Sequence, residues 1–496
     1  MITHRLSRLK NAVLVLGLAL ATLSVVQLER ARLGVEMRDL DAGTTPATLY
    51  QTDESGPVVV IAHGFAGSRQ LMEAFSLTLA RSGFRVVAFD FQGHGRNPVP
   101  MSGDVTAIEG TTARLVDETR RVIDAARAET GYAGPVALLG HSMATDVIVR
   151  AADGDPGIGA LVAVSMFSEA VTATAPDNLL IITGQWEPYL RTVALDAVRQ
   201  VYPGADEGQT VRADDLRRRA VVAPFVEHVG VLYSPVSLRE AREWIGESLG
   251  HSVSDSLAAT GPWLSGLMGA LVLLVWPLAA RLGPRQPVPD PLPLRWFLAI
   301  LALPAVLAPV IATQVTLDIL PVMVADTLAL MFLIFGGLQL IGLRLVGLRL
   351  GRIHWPALVF LVLWGIGVFG IALDRYGASF LPIPERVAII AALTLGTVPF
   401  MLADAALTGA GQAPFWRRAA ARIAVFTALS IAVALDPERL FFIVIIFPVL
   451  LLFYVVHGLM GRWIGQHAGP MAAGLGLGLV LAWALGVSFP LFDPGL

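Results

Sequence analysis

The stretch VALLGHSMATD, residues 136–146, decides how the first half of the chain is read. An apolar run, Val136 to Leu139, ends at Gly140, turns at Ser142 and continues as MATDVIVRAA, whose apolar spacing is helical. A buried strand that turns sharply into a helix needs small residues on both sides of the turn. Gly140 meets that need fully, and Ala144, four residues on, adds one methyl.

The same pattern recurs outward from this point. PVVVIA (57–62) runs into HGFAGS (63–68), and after an amphipathic stretch RVVAFD (85–90) runs into FQGHGR (91–96). A helical stretch covers about 105–129, and ALVAVS (160–165), LLIITG (179–184) and AVVAPF (220–225) are further strands. Strands alternating with helices predict a parallel α/β sheet, and their unbroken apolar character predicts burial on both faces. The fold class expected is therefore α/β, with about eight mostly parallel strands and flanking helices. Ligands bind such sheets at the carboxyl ends of the strands, where every motif quoted above lies.

The second half is different. The 496-residue chain is 55% hydrophobic and 15% charged, against about 25% charged in ordinary globular chains. Residues 29–250 carry a normal mixture of charge, whereas 257–490 are long apolar runs split by short arginine-containing loops. Apolar runs near 11–28, 259–280, 296–316, 321–343, 355–373, 386–408, 419–435, 440–460 and 468–489 match the length of a membrane-spanning helix. The expected organisation is an anchor over 1–28, a hydrophilic domain over 29–250, and over 251–496 an all-α transmembrane bundle of about eight helices. Ala19 and Ala21 offer a cleavage-like pair in the first run, but the run continues to Val26, which favours an uncleaved anchor.

Positive residues concentrate in cytoplasmic loops. The first run follows Arg5, Arg8 and Lys10, and alternate loops beyond it carry Arg281, Arg285 and Arg295; Arg344, Arg349 and Arg352; Arg417, Arg418 and Arg422; and Arg462. The intervening loops carry Asp318; then Asp374, Arg375, Glu385 and Arg386; then Asp436, Glu438 and Arg439. This asymmetry puts the N-terminus in the cytoplasm and residues 29–250 in the periplasm or outside the cell, in the inner membrane of a bacterium. The near-total use of arginine, with Lys10 the only lysine, points to a GC-rich bacterial genome. Within the spans, Asp326 and Asp404 are read as groups reaching the interface or pairing with a neighbour, and Gly474 with Gly478 as a close-packing pair.

A net charge of −3 gives no reason to expect nucleic acid, and the absence of cysteine excludes disulfides, thiolate catalysis and cysteine-bound metals. No metal or other cofactor is expected, and oligomeric state is left open.

The chemistry is concentrated at Ser142. A serine nucleophile needs a base, and the base needs an orienting carboxylate. Read in the order serine, acid, histidine, Glu187 follows the strand 179–184 and His228 follows 220–225; no other histidine lies between Ser142 and His251. The backbone N–H groups of Phe65 and Met143 are the expected oxyanion donors. His63 and His94 are read as structural, and Asp90 as fixing the loop after its strand.

HGFAGS, FDFQGHGR, GHSMA, ITGQWE and EHVGVLYS, taken in order, resemble the α/β-hydrolase family over roughly 35–250. The resemblance implies Ser142 as nucleophile, His228 as base and Glu187 as acid. Ala144 in place of glycine and glutamate in place of the commoner aspartate depart from the family pattern, and Glu169 is the alternative acid. The implied activity is a membrane-embedded serine hydrolase, esterase- or lipase-like, acting on small or lipid-like carboxylic esters. An acyltransferase with the same triad, or a transport or sensing protein with a hydrolase-like binding domain, are the alternatives. About 13 residues join the strands 160–165 and 179–184, too few for a cap domain; the stretch 188–219 is the remaining candidate cover.

Overall fold

The computed structural model describes the chain except Met1, Val105, Thr106, Pro289, Thr316, Asp318 and residues 494–496, and except the side chains of residues 2–7. The sequence reading of Asp318, and of the Arg5 side chain, thus lies outside the described residues. The chain divides into two compact units. One comprises 1–23, 266–373 and 380–489; the other comprises 24–265, 374–379 and 490–496.

The second unit is an α/β layer structure. Its strands are β1 (Glu36–Leu40), β2 (Ala47–Gln51), β3 (Val58–Ala62), β4 (Arg85–Phe89), β5 (Met101–Ser102), β6 (Val136–His141), β7 (Ile158–Val164), β8 (Asn178–Gly184), β9 (Thr210–Ala213), β10 (Leu216–Ala223) and β11 (Phe492–Asp493). Nine form one sheet in the order β1-β2-β4-β3-β6-β7-β8-β10-β9. From β4 to β10 all neighbours are parallel, and antiparallel strands β1, β2 and β9 close the two edges.

Helix α1 (Ile2–Arg32) precedes the sheet, and α2 (Glu73–Ala80), α3 (Ala113–Thr130), α4 (Ala144–Ala152), α5 (Pro188–Arg199) and α6 (Pro235–Ser248) flank it. Strand side chains alternate between faces. Val59, Ile61, Val86, Ala88, Ala137, Leu139, Val162 and Ile182 share one core with Phe75 and Leu79 of α2 and Leu238 and Ile245 of α6. The alternate residues, Val58, Val60, Leu138 and Leu161, are equally buried; α3 packs on β3 and α4 on β6 and β7. Burial on both faces is why these strands read as unbroken apolar runs.

The stretch 188–219 is not a cover. It forms α5, which packs on β8 and β10, and the β9–β10 hairpin at the sheet edge. Strand β10 begins at Leu216, earlier than expected from sequence, because Arg218 is wholly buried with carbonyl partners at Ala197, Thr172 and Ala175.

Two short segments remote in sequence complete this unit. In 374–379, Asp374 accepts from Arg96 (2.6 Å), Arg375 and Tyr376 donate to Glu29 (2.7 and 2.6 Å), and Ser379 N–H donates to Ser68 Oγ (3.1 Å). The tail strand β11 pairs in parallel with β5, and Leu491 exchanges backbone hydrogen bonds with Gly93 and Met101.

The first unit is helical. It contains α7 (Gly261–Ala279), α8 (Leu294–Thr313) and α9 (Ala325–Leu345). Next comes a span running from α10 (Trp355–Val362) through a wider turn into α11 (Phe369–Tyr376). Last are α12 (Pro384–Leu407), α13 (Phe415–Leu435), the short α14 (Pro437–Leu440) and α15 (Ile443–Ser488). Among the described residues, eight helices are long and apolar enough to cross a membrane, the part of α1 from Arg8 among them.

The 46-residue α15 is not one rod. Gly469 has a non-helical backbone (φ 81°, ψ 176°), and a Cβ on Gly461 would meet Leu477 while one on Gly465 would meet Ala473. Residues sixteen apart lie about 24 Å apart along a straight helix, so the chain folds back at Gly469 into two antiparallel arms. The arms correspond to the two expected runs at 440–460 and 468–489. Small residues let α12 approach its neighbours: a Cβ on Gly474 or Gly478 would lie 2.6 Å from a Cα of α12, and one on Gly396 2.2 Å from the Ala329 carbonyl. Asp326 accepts from the Ile319 and Leu320 N–H groups, and Asp404 pairs with Arg422.

Candidate active site

Ser142 sits between β6 and α4 with φ of 52°. That left-handed conformation costs a non-glycine residue about 1–3 kcal/mol, and such strain concentrates at functional sites. It is held by the Ser142 N–H donating to Val164 O (2.9 Å) and by Thr145 returning N–H and Oγ bonds to Ser142 O. Gly140 is required here: a Cβ would stand 2.7 Å from the Ala144 carbonyl. Ala144 itself is fully buried without disturbing the turn. Ala66, Ser165 and Phe225, likewise non-glycine residues with positive φ, stand just beyond the carboxyl ends of β3, β7 and β10.

His228 and Glu187 come to the same place from the loops after β10 and β8. Ser142 Oγ lies 2.9 Å from His228 Nε2, and His228 Nδ1 lies 2.6 Å from Glu187 Oε1. A carboxylate only accepts, so Nδ1 carries the proton and Nε2 is left to accept from the serine hydroxyl. Burial pushes the Glu187 carboxyl up, but hydrogen bonds from His228, Gly184 N–H and Ser165 Oγ outweigh it and hold it below the ordinary glutamate value. Glu169 is exposed on the loop after β7 and is not the residue bonded to His228.

Two participants were not found from sequence. Ser165 donates to Glu187 Oε2 at 2.8 Å. His141 Nε2–H donates to His228 O at 2.9 Å, fixing the backbone of the loop that carries the base. Burial, and secondarily the neighbouring His228, depress His141 to about 3, so its ring stays neutral. GHS showed a histidine there, but nothing in the local pattern tied it to residue 228.

Phe65 and Met143 flank Ser142 as follows. A Cβ on Gly64 would lie 3.0 Å from Ser142 Cβ, so the HGF turn runs against the serine. Gly64 O accepts from His63 Nδ1 (2.8 Å) and Gly67 N–H (3.0 Å). Because a trans peptide sets C=O and N–H on opposite sides, these bonds turn the Phe65 N–H the other way. Met143 precedes the first turn of α4, where N–H groups and the helix dipole favour negative charge. His63 Nε2 accepts from Phe91 N–H, and Asp90 receives Arg69 and Arg96 N–H groups and the Arg69 guanidinium, tying the loops beneath.

Phe167, Trp186, Tyr189, Phe225 and Val229 are exposed, each within about four residues of Ser165, Glu187 or His228, alongside the exposed Glu169, Gln185 and Glu227. Among the described residues no group of three or more His, Asp or Glu is placed to hold a metal ion.

Residues 53–228 match the family model Hydrolase_4, described as serine aminopeptidase, S33. Over 140 residues the chain is 27% identical to protein phosphatase methylesterase 1 of Bos taurus, covering 28% of this chain and 34% of that protein. The chain thus spans about a third of the length of the curated relatives it matches. Among solved structures, TT1662 of Thermus thermophilus aligns with TM-score 0.32 and 19% identity over 43% of this chain and 98% of that one. A thermophilic esterase from Thermogutta terrifontis aligns with TM-score 0.32 and 14% identity over 43% and 99%.

Proposed function

We propose that the unit carrying residues 53–228, whose sheet and family-model match are those of an α/β-hydrolase, acts as a membrane-anchored serine esterase on carboxylic esters with apolar acyl groups. The observation that carries this reading is the hydrogen-bond chain from Ser142 through His228 to Glu187, at 2.9 and 2.6 Å. Ser142 Oγ attacks the ester carbonyl carbon while His228 Nε2 takes its proton. The N–H groups of Phe65 and Met143 receive the developing oxyanion. As the tetrahedral intermediate collapses, the C–O bond breaks and His228 returns the proton to the departing alcohol. Water, deprotonated by His228, then releases the acid from Ser142. Glu187 holds the imidazole in the tautomer this sequence needs and stabilises its protonated form.

The exposed Phe167, Trp186, Tyr189 and Phe225 support an apolar, lipid-like substrate. The charge asymmetry of the loops supports a periplasmic or extracellular site.

The test is active-site labelling of the full chain in detergent with a fluorophosphonate, followed by turnover of p-nitrophenyl esters of increasing acyl length. Labelling that disappears in Ser142→Ala, with turnover rising with chain length, is expected. Absence of labelling, or equal labelling of Ser142→Ala, would overturn the esterase reading.

A further inference from the structure

At the end of the helical unit where Lys10, Arg281 and Arg285 lie, a cleft of about 470 Å³ opens between α1, the end of α7 and the fold-back of α15. Those three cations line it with Trp276, Gln466 and His467. Its walls are fixed by hydrogen bonds. Gln286 N–H donates to Gln466 O (2.8 Å), the Gln286 side chain donates to His467 O (3.1 Å), and His467 Nδ1–H donates to Gly283 O (2.7 Å). The loop bearing Arg285 is therefore tied to the tip of the α15 hairpin, and Lys10 lies over the Trp276 ring at 5.9 Å.

The cleft is uncompensated. Among the described residues, no carboxylate stands within ion-pair distance of Lys10, Arg281 or Arg285. Four other arginines of the same unit are satisfied internally: Arg422 on Asp404, Arg439 on Asp436, Arg386 on the Gly486 and Phe489 carbonyls, and Arg417 on the Leu292 carbonyl. Three like charges gathered around one concavity repel unless an anion joins them. Basic clefts between membrane helices recognise anionic headgroups, and tryptophan settles at headgroup depth.

We propose that this cleft binds a phosphate-bearing anion, the chemistry shared by the headgroup of an anionic phospholipid and by free phosphate, with Lys10, Arg281 and Arg285 as its charge-assisted donors. The site is independent of Ser142 and of the esterase reading.

The test uses the full chain in a neutral detergent, with thermal unfolding followed by tryptophan fluorescence during titration with phosphatidylglycerol, phosphatidylcholine or inorganic phosphate. Phosphatidylglycerol is expected to raise Tm and phosphatidylcholine to leave it unchanged. Each of Lys10→Gln, Arg281→Gln and Arg285→Gln should raise the half-saturating concentration about fivefold, and the triple variant should lose the response. A response to lipid alone assigns the site to a headgroup, and an equal response to inorganic phosphate assigns it to the free anion; either supports the proposal. A cooperative unfolding transition in the absence of added anion checks that each variant is folded, and the single variants decide if the triple is not. A triple variant that responds like the parent, single variants with unchanged affinity, or equal stabilisation by phosphatidylcholine would overturn it.

Discussion

The ring of Phe492 lies against the ring of Phe65, with centroids 6.5 Å apart and planes inclined by 37°. Phe65 belongs to the turn that runs against Ser142, and Phe492 belongs to the tail strand that follows the last apolar helix. Phe492 is almost fully buried, and its neighbour Leu491 is bonded on both sides, to Gly93 and Met101. The tail thus backs the loop proposed to carry an oxyanion donor. Phe492→Ala is expected to lower kcat about tenfold or more with KM within about twofold, since small misplacements of catalytic groups are costly. Phe492→Leu should restore most of the rate. Steady-state kinetics of the full chain decide it; a change confined to Tm would make Phe492 purely structural.

Glu187 and Glu169 are separable by substitution. Glu187→Gln keeps the shape but offers the wrong partner to the imidazole, and kcat should fall by about 10³–10⁴. Glu169→Gln should leave it within about twofold. Ser165→Ala removes a donor from the carboxylate, a bond to a charged group worth about 1.5–3 kcal/mol. Its acid limb in the pH–rate profile should therefore move to higher pH.

Acid should destabilise the unit through His141. The unfolded histidine protonates below its ordinary 6.5, while the folded one resists until about 3. The unfolded state therefore binds more protons in that window, and stability falls with pH by up to about 1.4 kcal/mol per unit. Glu187, lowered in the folded state, adds a loss in the same direction as pH drops below its ordinary 4.5. Urea midpoints measured between about pH 7 and about pH 4 should fall steeply in the parent and less steeply in His141→Asn.

Because the chain has no cysteine, single introduced thiols report sidedness cleanly. Glu54→Cys, on an exposed turn of the hydrolase unit, should react with a membrane-impermeant maleimide on intact bacterial spheroplasts. Arg349→Cys, in an exposed basic loop, should react only after lysis. The reverse pattern would invert the proposed orientation.

The sequence was legible where the candidate site lies at the ends of buried strands. Ser142, Glu187 and His228 each follow an apolar run, and their order alone brings them together. Residues whose role depends on another part of the chain were not legible. Ser165 and His141 matter only through Glu187 and His228, which they reach across strands. β1 carries three charged residues in five and is mostly solvent-facing, so no apolar alternation marks it. Arg217, Arg218 and Arg219 concealed the start of β10, because burial of Arg218 is made possible by carbonyls from distant loops. The fold-back of α15 was visible only as two runs separated by Gly469 and Pro470.

The pairing of β11 with β5 also fixes an order of events in biosynthesis. Met101 and Phe492 are roughly 390 residues apart, and a contact so distant forms after everything between has been made. Most of the sheet can assemble once residue 223 has emerged, but its Gly93–Ser102 loop acquires its last strand only after the final apolar arm has been synthesised. A chain stalled or clipped within the helical half would carry Ser142, His228 and Glu187 yet lack the segment behind Phe65. The proposed site would then acquire the support behind Phe65 only once Phe492 has been made.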